Sequence, residues 1–211
     1  MAHQEVETHP HPHPPDEGGH LTYYQAMEVA VRELLIEKGV LTADEVRRQV
    51  EDMDSRTPAQ GARVVAAAWA NESFRDRLLA DGNSAVEELG MERGPYKLVV
   101  VANTPSVHNV IVCTLCSCYP RWLLGLPPDW YKSRNYRSRM VREPRAVLRE
   151  FGLELPDSTT VRVHDSTADM RYLVLPMRPA GTAGWAPEQL ATLATRDSMV
   201  GVAVPAKPSS P

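Results

Sequence analysis

The chain has 211 residues, 43% of them hydrophobic, enough to bury the core of one domain or of one domain with an extension. A formal net charge of −4 without a dominant basic block argues against nucleic acid as a partner, and no run of 18 apolar residues exists to make a transmembrane helix. The polar start carries no apolar signal-peptide core, and cysteines without such a signal predict a cytoplasmic protein.

Residues 1–19 are of low complexity, with His9, His11 and His13 alternating with prolines. Alternating proline blocks helix and strand pairing alike, so a disordered or polyproline II tail is expected, with imidazoles that at most scavenge metal ions. Tyr23, Met27, Ala30, Leu34 and Leu35 then recur at helical spacing, and Gly39 supplies the stop. Thr42-Ala43-Asp44-Glu45 is a capping box that opens a helix reaching about Asp54. Thr57-Pro58 places a cap before a first-turn proline, and an Ala-rich helix follows to about Ala70, with Ala66, Ala67 and Ala68 permitting close backbone approach. Asn71 or Ser73 caps a short helix ended by Gly82, and Ser84–Leu89 makes another, ended by Gly90. Residues 20–92 thus read as a helical arm without a convergent catalytic set, suited to packing around another subunit.

The period changes after Gly94-Pro95. Lys97–Ala102 and Val107–Cys113 are β-branched runs separated by Asn103-Thr104-Pro105-Ser106, two strands and a turn. Val161–Val163 and Arg171–Leu175 are further strand candidates, Pro187–Thr195 a helix and Met199–Val204 a last strand, with 206–211 a flexible tail. Helices first and mixed strands later predict an α+β fold, with 93–205 as the chemistry-bearing domain.

All three cysteines fall in Val112-Cys113-Thr114-Leu115-Cys116-Ser117-Cys118-Tyr119. Such clustering asks for a metal or a redox explanation, because buried structural cysteines have no reason to gather. Structural zinc and iron–sulfur clusters normally take four side-chain ligands, and His108, the residue at hand to complete a Cys₃His site, reads as a strand residue. Ring geometry favours another arrangement. Between the sulfurs of Cys116 and Cys118 lie the amide nitrogens of Ser117 and Cys118, and chelation through all four closes two five-membered rings and one six-membered ring. Cys-X-Cys is therefore a planar N₂S₂ ligand once the amides lose their protons, which calls for a strongly Lewis-acidic trivalent iron or cobalt. Cys113 can add a sulfur below the plane, leaving the position above it open, which is a catalytic rather than a structural arrangement.

Cys113-Thr114-Leu115-Cys116-Ser117-Cys118-Tyr119 resembles the metal claw of nitrile hydratase α subunits, a family shared with the thiocyanate hydrolase γ subunit. Leu124-Gly125-Leu126-Pro127-Pro128, Trp130-Tyr131-Lys132-Ser133, Val141-Arg142-Glu143-Pro144-Arg145 and Arg178-Pro179-Ala180-Gly181-Thr182 extend the resemblance over about 20–205. The resemblance implies Cys113 as axial thiolate, with the Cys116 and Cys118 sulfurs and the Ser117 and Cys118 amides equatorial. It implies Cys116 as sulfinic and Cys118 as sulfenic acid, with Cys116, Ser117 and Cys118 at the catalytic centre. Thr114 and Tyr119 resemble cobalt-type members, so one Co(III) per chain is expected ahead of Fe(III). An obligate β subunit forming αβ or α2β2, a small nitrile substrate, a metallation or activator protein and a layered α/β/β/α domain behind the helical arm are likewise implied.

Asp165 and Asp169 read from sequence as a turn residue and a partner of Arg171 or solvent, whereas the resemblance places them beside the metal pocket, with Asp169 where Glu is usual. Lys132 is a further candidate near the site. It begins a basic stretch with Arg134, Arg137, Arg139, Arg142 and Arg145, which reads as a subunit surface with interchain ion pairs. Trp122 and Trp130 are core residues by default and an apolar substrate pocket on the sharper reading. The expected activity is hydration of a nitrile to its amide. Thiocyanate hydrolysis is the alternative, and a zinc-stabilised interaction module built on the three cysteines and His108 the distant one.

Overall fold

The computed structural model describes residues 21–116 and 118–208. The His/Pro-rich tail and Ser117 lie outside the described residues. The chain divides after Ser55 into two compact units.

The first unit holds α1 (Tyr23–Glu37) and α2 (Ala43–Ser55). Thr22 and Gln25 form a reciprocal capping box at the start of α1, and Gly39 at φ +66° ends it, a conformation that costs a residue without Cβ little. Thr42 and Glu45 cap α2 the same way, by a 2.7 Å bond to Glu45 Oε2 and a 3.2 Å return bond to Thr42 Oγ1. No residue of either helix is buried.

The second unit begins with α3 (Ala59–Ala70), α4 (Glu72–Ala80) and α5 (Gly82–Glu88), and these helices share its core with the strands. Pro58 occupies the cap position itself, so α3 starts one residue later than the Thr-Pro pattern predicts. Asn71 caps α4 through Phe74 N at 3.0 Å. Asp81, rather than a residue after Gly82, caps α5, because its carboxylate accepts from both Asn83 N and Ser84 N.

Among the described residues, four strands form two parallel pairs. β1 (Lys97–Ala102) pairs with β4 (Met170–Leu175), and β2 (Val107–Val112) with β3 (Thr160–Asp165). β1 and β2 follow one another but lie in different sheets, joined at the turn by a single bridge, Thr104 to Val107. Between β2 and β3 run four short helices that sequence periodicity did not mark: α6 (Arg121–Leu124), α7 (Asp129–Lys132), α8 (Arg134–Met140) and α9 (Pro144–Glu150). Tyr136 fastens α8 to the sheet, its buried hydroxyl donating to Ile111 O at 2.6 Å. Mixed helices and short parallel strands make this an α+β unit.

The C-terminal part departs from expectation twice. α10 (Pro187–Ala191) ends early because Thr195 caps the next helix, α11 (Arg196–Val200). The strand expected over Met199–Val204 is therefore the end of α11 and the turn after it. Met199, Val200 and Val202 are all buried, so packing and a capping threonine override their strand propensity. Gly201 at φ +95° closes α11 against β2, where a Cβ would meet Asn109 O at 2.1 Å.

Candidate metal centre

The cysteine loop leaves β2 at its C-terminal end. Pairing of Val112 with Asp165 brings the last residue of β3 beside the loop's first turn. Asp165 accepts there from Thr114 N at 2.9 Å and from Thr114 Oγ1 at 2.5 Å. Two helices hold the rest. Arg137 of α8 donates through Nη2 to Thr114 O at 3.0 Å and Leu115 O at 3.2 Å. Tyr131 of α7 donates to Cys118 O at 2.8 Å. Its ring is buried edge-on to Tyr119, with centroids 5.1 Å apart.

The three sulfurs lie within 4.8 Å of one another. Cys113 Sγ stands 3.6 Å from Cys116 Sγ, which stands 3.2 Å from Cys118 Sγ, distances too long for a disulfide. At a metal–sulfur length of about 2.3 Å, ligands at right angles lie ~3.3 Å apart and tetrahedral ones ~3.8 Å. The sulfurs are thus already spaced to share one ion. Cys113 is buried, Cys118 half-buried and Cys116 exposed, so the cluster closes on the protein side and opens on the other. Burial, together with the neighbouring Cys116 and Cys113 thiols, pushes the Cys118 thiol up to about 12. The Cys118 thiol so placed resists ionising unless a cation joins it, and a coordinated thiol is deprotonated outright. The donor set therefore fits a metal ion that accepts thiolate ligands.

Cationic groups of the chain itself also reach the loop, which sequence order had concealed. Arg171 is buried, and its charge draws the Cys118 thiol back down. Its guanidinium lies 3.9 Å from the Tyr96 ring centroid and donates to the Met170 and Ala168 carbonyls at 3.0 and 3.2 Å. Residues of the basic stretch after Lys132 make bonds within the chain. Arg139 pairs with Glu143 and Glu150, Arg142 bonds Ser138 O, and Arg145 bonds the carbonyls of Leu155 and Pro156. Nothing in the sequence marked Arg137 as a loop contact or Arg171 as a charge acting on Cys118; only the helix phase and the β4 register bring them in.

Lys132 Nζ pairs with Asp129 at 2.7 Å on the exposed side of α7. The Asp169 backbone accepts from Lys97 N at 3.0 Å, but its carboxylate is exposed and makes no hydrogen bond among the described residues; Arg171 bonds main-chain carbonyls instead. Trp122 packs in the core beside Tyr96, and Trp130 joins an aromatic cluster with Tyr131, Tyr136 and Phe151. A cleft of about 1110 Å³ lined by Pro105, His108, Met177, Trp185 and Val204 opens at the opposite end of β2. His108 is occupied structurally. Its Nε2 lies 2.7 Å from Gly201 O and its Nδ1 3.3 Å from Asn103 Nδ2, which makes Nε2 the protonated nitrogen. A zinc module relying on His108 as fourth ligand is therefore not what this fold builds.

Residues 22–203 match the family model described as nitrile hydratase, alpha chain. The chain belongs to that family. It is 52% identical over 176 residues to the cobalt-containing nitrile hydratase subunit alpha of Pseudonocardia thermophila, covering 82% of this chain and 86% of that one. The thiocyanate hydrolase subunit gamma of Thiobacillus thioparus is 44% identical over 194 residues, covering 86% and 80%. Among solved structures, a double mutant of the Fe-type nitrile hydratase from Comamonas testosteroni Ni1 superposes with a TM-score of 0.84 at 43% identity, over 91% of this chain and 97% of that one. Recombinant thiocyanate hydrolase with partially modified cobalt centers gives 0.83 at 43% identity, over 89% and 92%. No helix among the described residues is long and apolar enough to cross a membrane.

Proposed function

We propose that this chain is the α subunit of a cobalt nitrile hydratase, which adds water to a small nitrile and releases the amide. The observation that carries the reading is the spacing of the three sulfurs, already suited to one ion, in a chain half identical to cobalt-containing α subunits. Cys113, Cys116 and Cys118 would hold the ion by sulfur, and Ser117 and Cys118 by their amides. Co(III) is favoured over Fe(III), with Cys116 as sulfinic and Cys118 as sulfenic acid. When bound, such an ion supplies Lewis acidity toward the nitrile.

The chain's own residues then have defined work. Asp165, Arg137 and Tyr131 hold the loop so that the sulfurs need not reorganise. Arg171 offsets negative charge at Cys118, and a sulfenate oxygen there would serve as nucleophile or as base toward water.

A β subunit closing over the open side completes the pocket, as αβ or α2β2, with an activator protein delivering the metal. Exposed Tyr23, Tyr24, Met27, Val31 and Leu34 along α1 support an arm that wraps this partner. The two parallel strand pairs would be the inner layers of an α/β/β/α arrangement. The cytoplasm is the proposed compartment, consistent with three cysteines that form no disulfide.

Co-expression with a β subunit in cobalt medium tests the proposal, followed by assays on acrylonitrile and thiocyanate and mass analysis of the 113–118 peptide. Amide formation, one cobalt per chain and two added oxygens at Cys116 are expected. Turnover of thiocyanate alone would favour the γ-subunit reading, which the 44% identical relative supports. Zinc with neither activity would overturn both.

A further inference from the structure

Arg137 meets the cysteine loop at its backbone, not at its sulfurs, and the peptide geometry shows where that contact leads. The carbonyls of Thr114 and Leu115 are consecutive, yet both point at one nitrogen, Arg137 Nη2. Two adjacent carbonyl dipoles converging in this way repel each other unless a cation sits between them. The Leu115 carbonyl and the Cys116 N–H belong to the same rigid peptide plane. Fixing one therefore fixes the other, and Cys116 N–H donates to Cys113 Sγ at 3.3 Å.

The three peptides that lead from Cys113 to Cys116 are thus each held from outside the loop. The first is held by Asp165 at Thr114 N, and the second and third by Arg137 at Thr114 O and Leu115 O. Arg137 itself is aimed by α8, which Tyr136 ties to Ile111 O directly before the loop.

We propose that Arg137 is a positioning residue that sets the N–H···S bond to Cys113 through the 115–116 peptide, and so tunes the innermost sulfur for its metal. An N–H aimed at a thiolate sulfur withdraws electron density and stabilises its charge, a recognised means of tuning metal–sulfur centres. The inference rests on the metal-binding reading above, but its geometry belongs to the chain alone.

The test compares Arg137→Ala, Arg137→Lys and Arg139→Ala in the cobalt-loaded complex with a β subunit. Arg139→Ala, on the same helix as Arg137, breaks the pairs with Glu143 and Glu150 of α9 and its cap without touching the loop, so it reports general loss of stability. Arg137→Ala is expected to shift the sulfur-to-cobalt absorption band and to speed cobalt loss to a chelator by roughly 10- to 100-fold. Arg137→Lys, able to restore one carbonyl contact, should fall between it and the parent. Arg139→Ala should lower Tm yet keep the parent's band and release rate. If Arg137→Ala does not fold, Arg137→Lys against Arg139→Ala carries the same comparison. An unchanged band and release rate in the folded Arg137 variant overturns the inference. If the parent complex holds no cobalt or iron, the metal reading fails by itself, and amide exchange at Cys116 in that metal-free complex decides the inference. Faster exchange in Arg137→Ala supports it, and equal exchange overturns it.

Discussion

Asp165 holds Thr114 by its backbone nitrogen and its hydroxyl together, at 2.9 and 2.5 Å, across a sequence separation of 51 residues. Parallel pairing of β2 with β3 makes this meeting unavoidable, since Val112 and Asp165 are register partners at the end of both strands. A carboxylate that accepts two hydrogen bonds from one residue fixes that residue's peptide and its side chain at once.

Removing the Asp165 grip should therefore loosen the loop more than removing half of it. Asp165→Ala in the β-subunit complex is expected to speed cobalt release to a chelator by roughly tenfold or more, the effect usual for a residue that orients metal ligands. Thr114→Val, which keeps the N–H bond and loses only the hydroxyl, should show a smaller effect. Equal release from both variants and the parent would remove Asp165 from the site.

Each cysteine contributes one sulfur to a cluster of three, so Cys113→Ala, Cys116→Ala and Cys118→Ala should each abolish activity and metal retention together. Ser117→Ala should be milder, because its proposed ligand is the amide nitrogen, which the substitution leaves in place. Elemental analysis and amide formation, measured on the same samples, check both statements. A full metal complement with normal turnover in any cysteine variant contradicts the shared-ion reading.

The loop's chemistry was legible in the sequence because a three-cysteine cluster with chelating spacing has few other meanings, and caps such as Thr42 and Asn71 announced their helices. What surrounds the loop was not legible. Arg137 and Arg171 lie 19 and 53 residues after Cys118 (137 − 118 and 171 − 118), and only the packing of α8 and the register of β4 bring them near. The four helices between residues 121 and 150 are short, from four to seven residues, too few for a periodic pattern to emerge. Met199–Val204 misled for a different reason. A buried apolar run reads alike as strand or helix, and the deciding Thr195 cap stands before the run.

Burial holds His108 below its ordinary pKa of 6.5 despite the bond to Gly201. Below that ordinary value the unfolded chain then binds more protons than the folded one. The stabilisation that His108 gives is complete above it and is lost as pH falls. His108→Gln, which cannot titrate, should melt below the parent at neutral pH. The gap in Tm should narrow between roughly pH 7.5 and pH 5 as the parent's imidazole takes up its proton. A gap that stays constant across that range would show that His108 titrates alike in both states.

The Asp169 carboxylate is exposed and bonds nothing among the described residues. Asp169→Asn is accordingly expected to leave kcat/KM within about twofold of the parent, since isolated surface substitutions change free energies by about 0.5 kcal/mol or less. Asp169→Glu should do the same. A steady-state loss of tenfold or more in the Asn variant, in the complete complex, would mean that its charge acts on the reaction.

Among the described residues, the side chains that hold the cysteine loop come later in the chain than the loop: Tyr131, Arg137 and Asp165. On a translating ribosome the three thiols therefore emerge before anything that can hold them in place. Until β3 has been made and laid beside β2, a metal ion meets three loosely tethered sulfurs rather than a shaped site. Insertion of the right ion thus belongs after synthesis of the second strand pair, and an early encounter with a competing soft metal is the hazard this chain order creates.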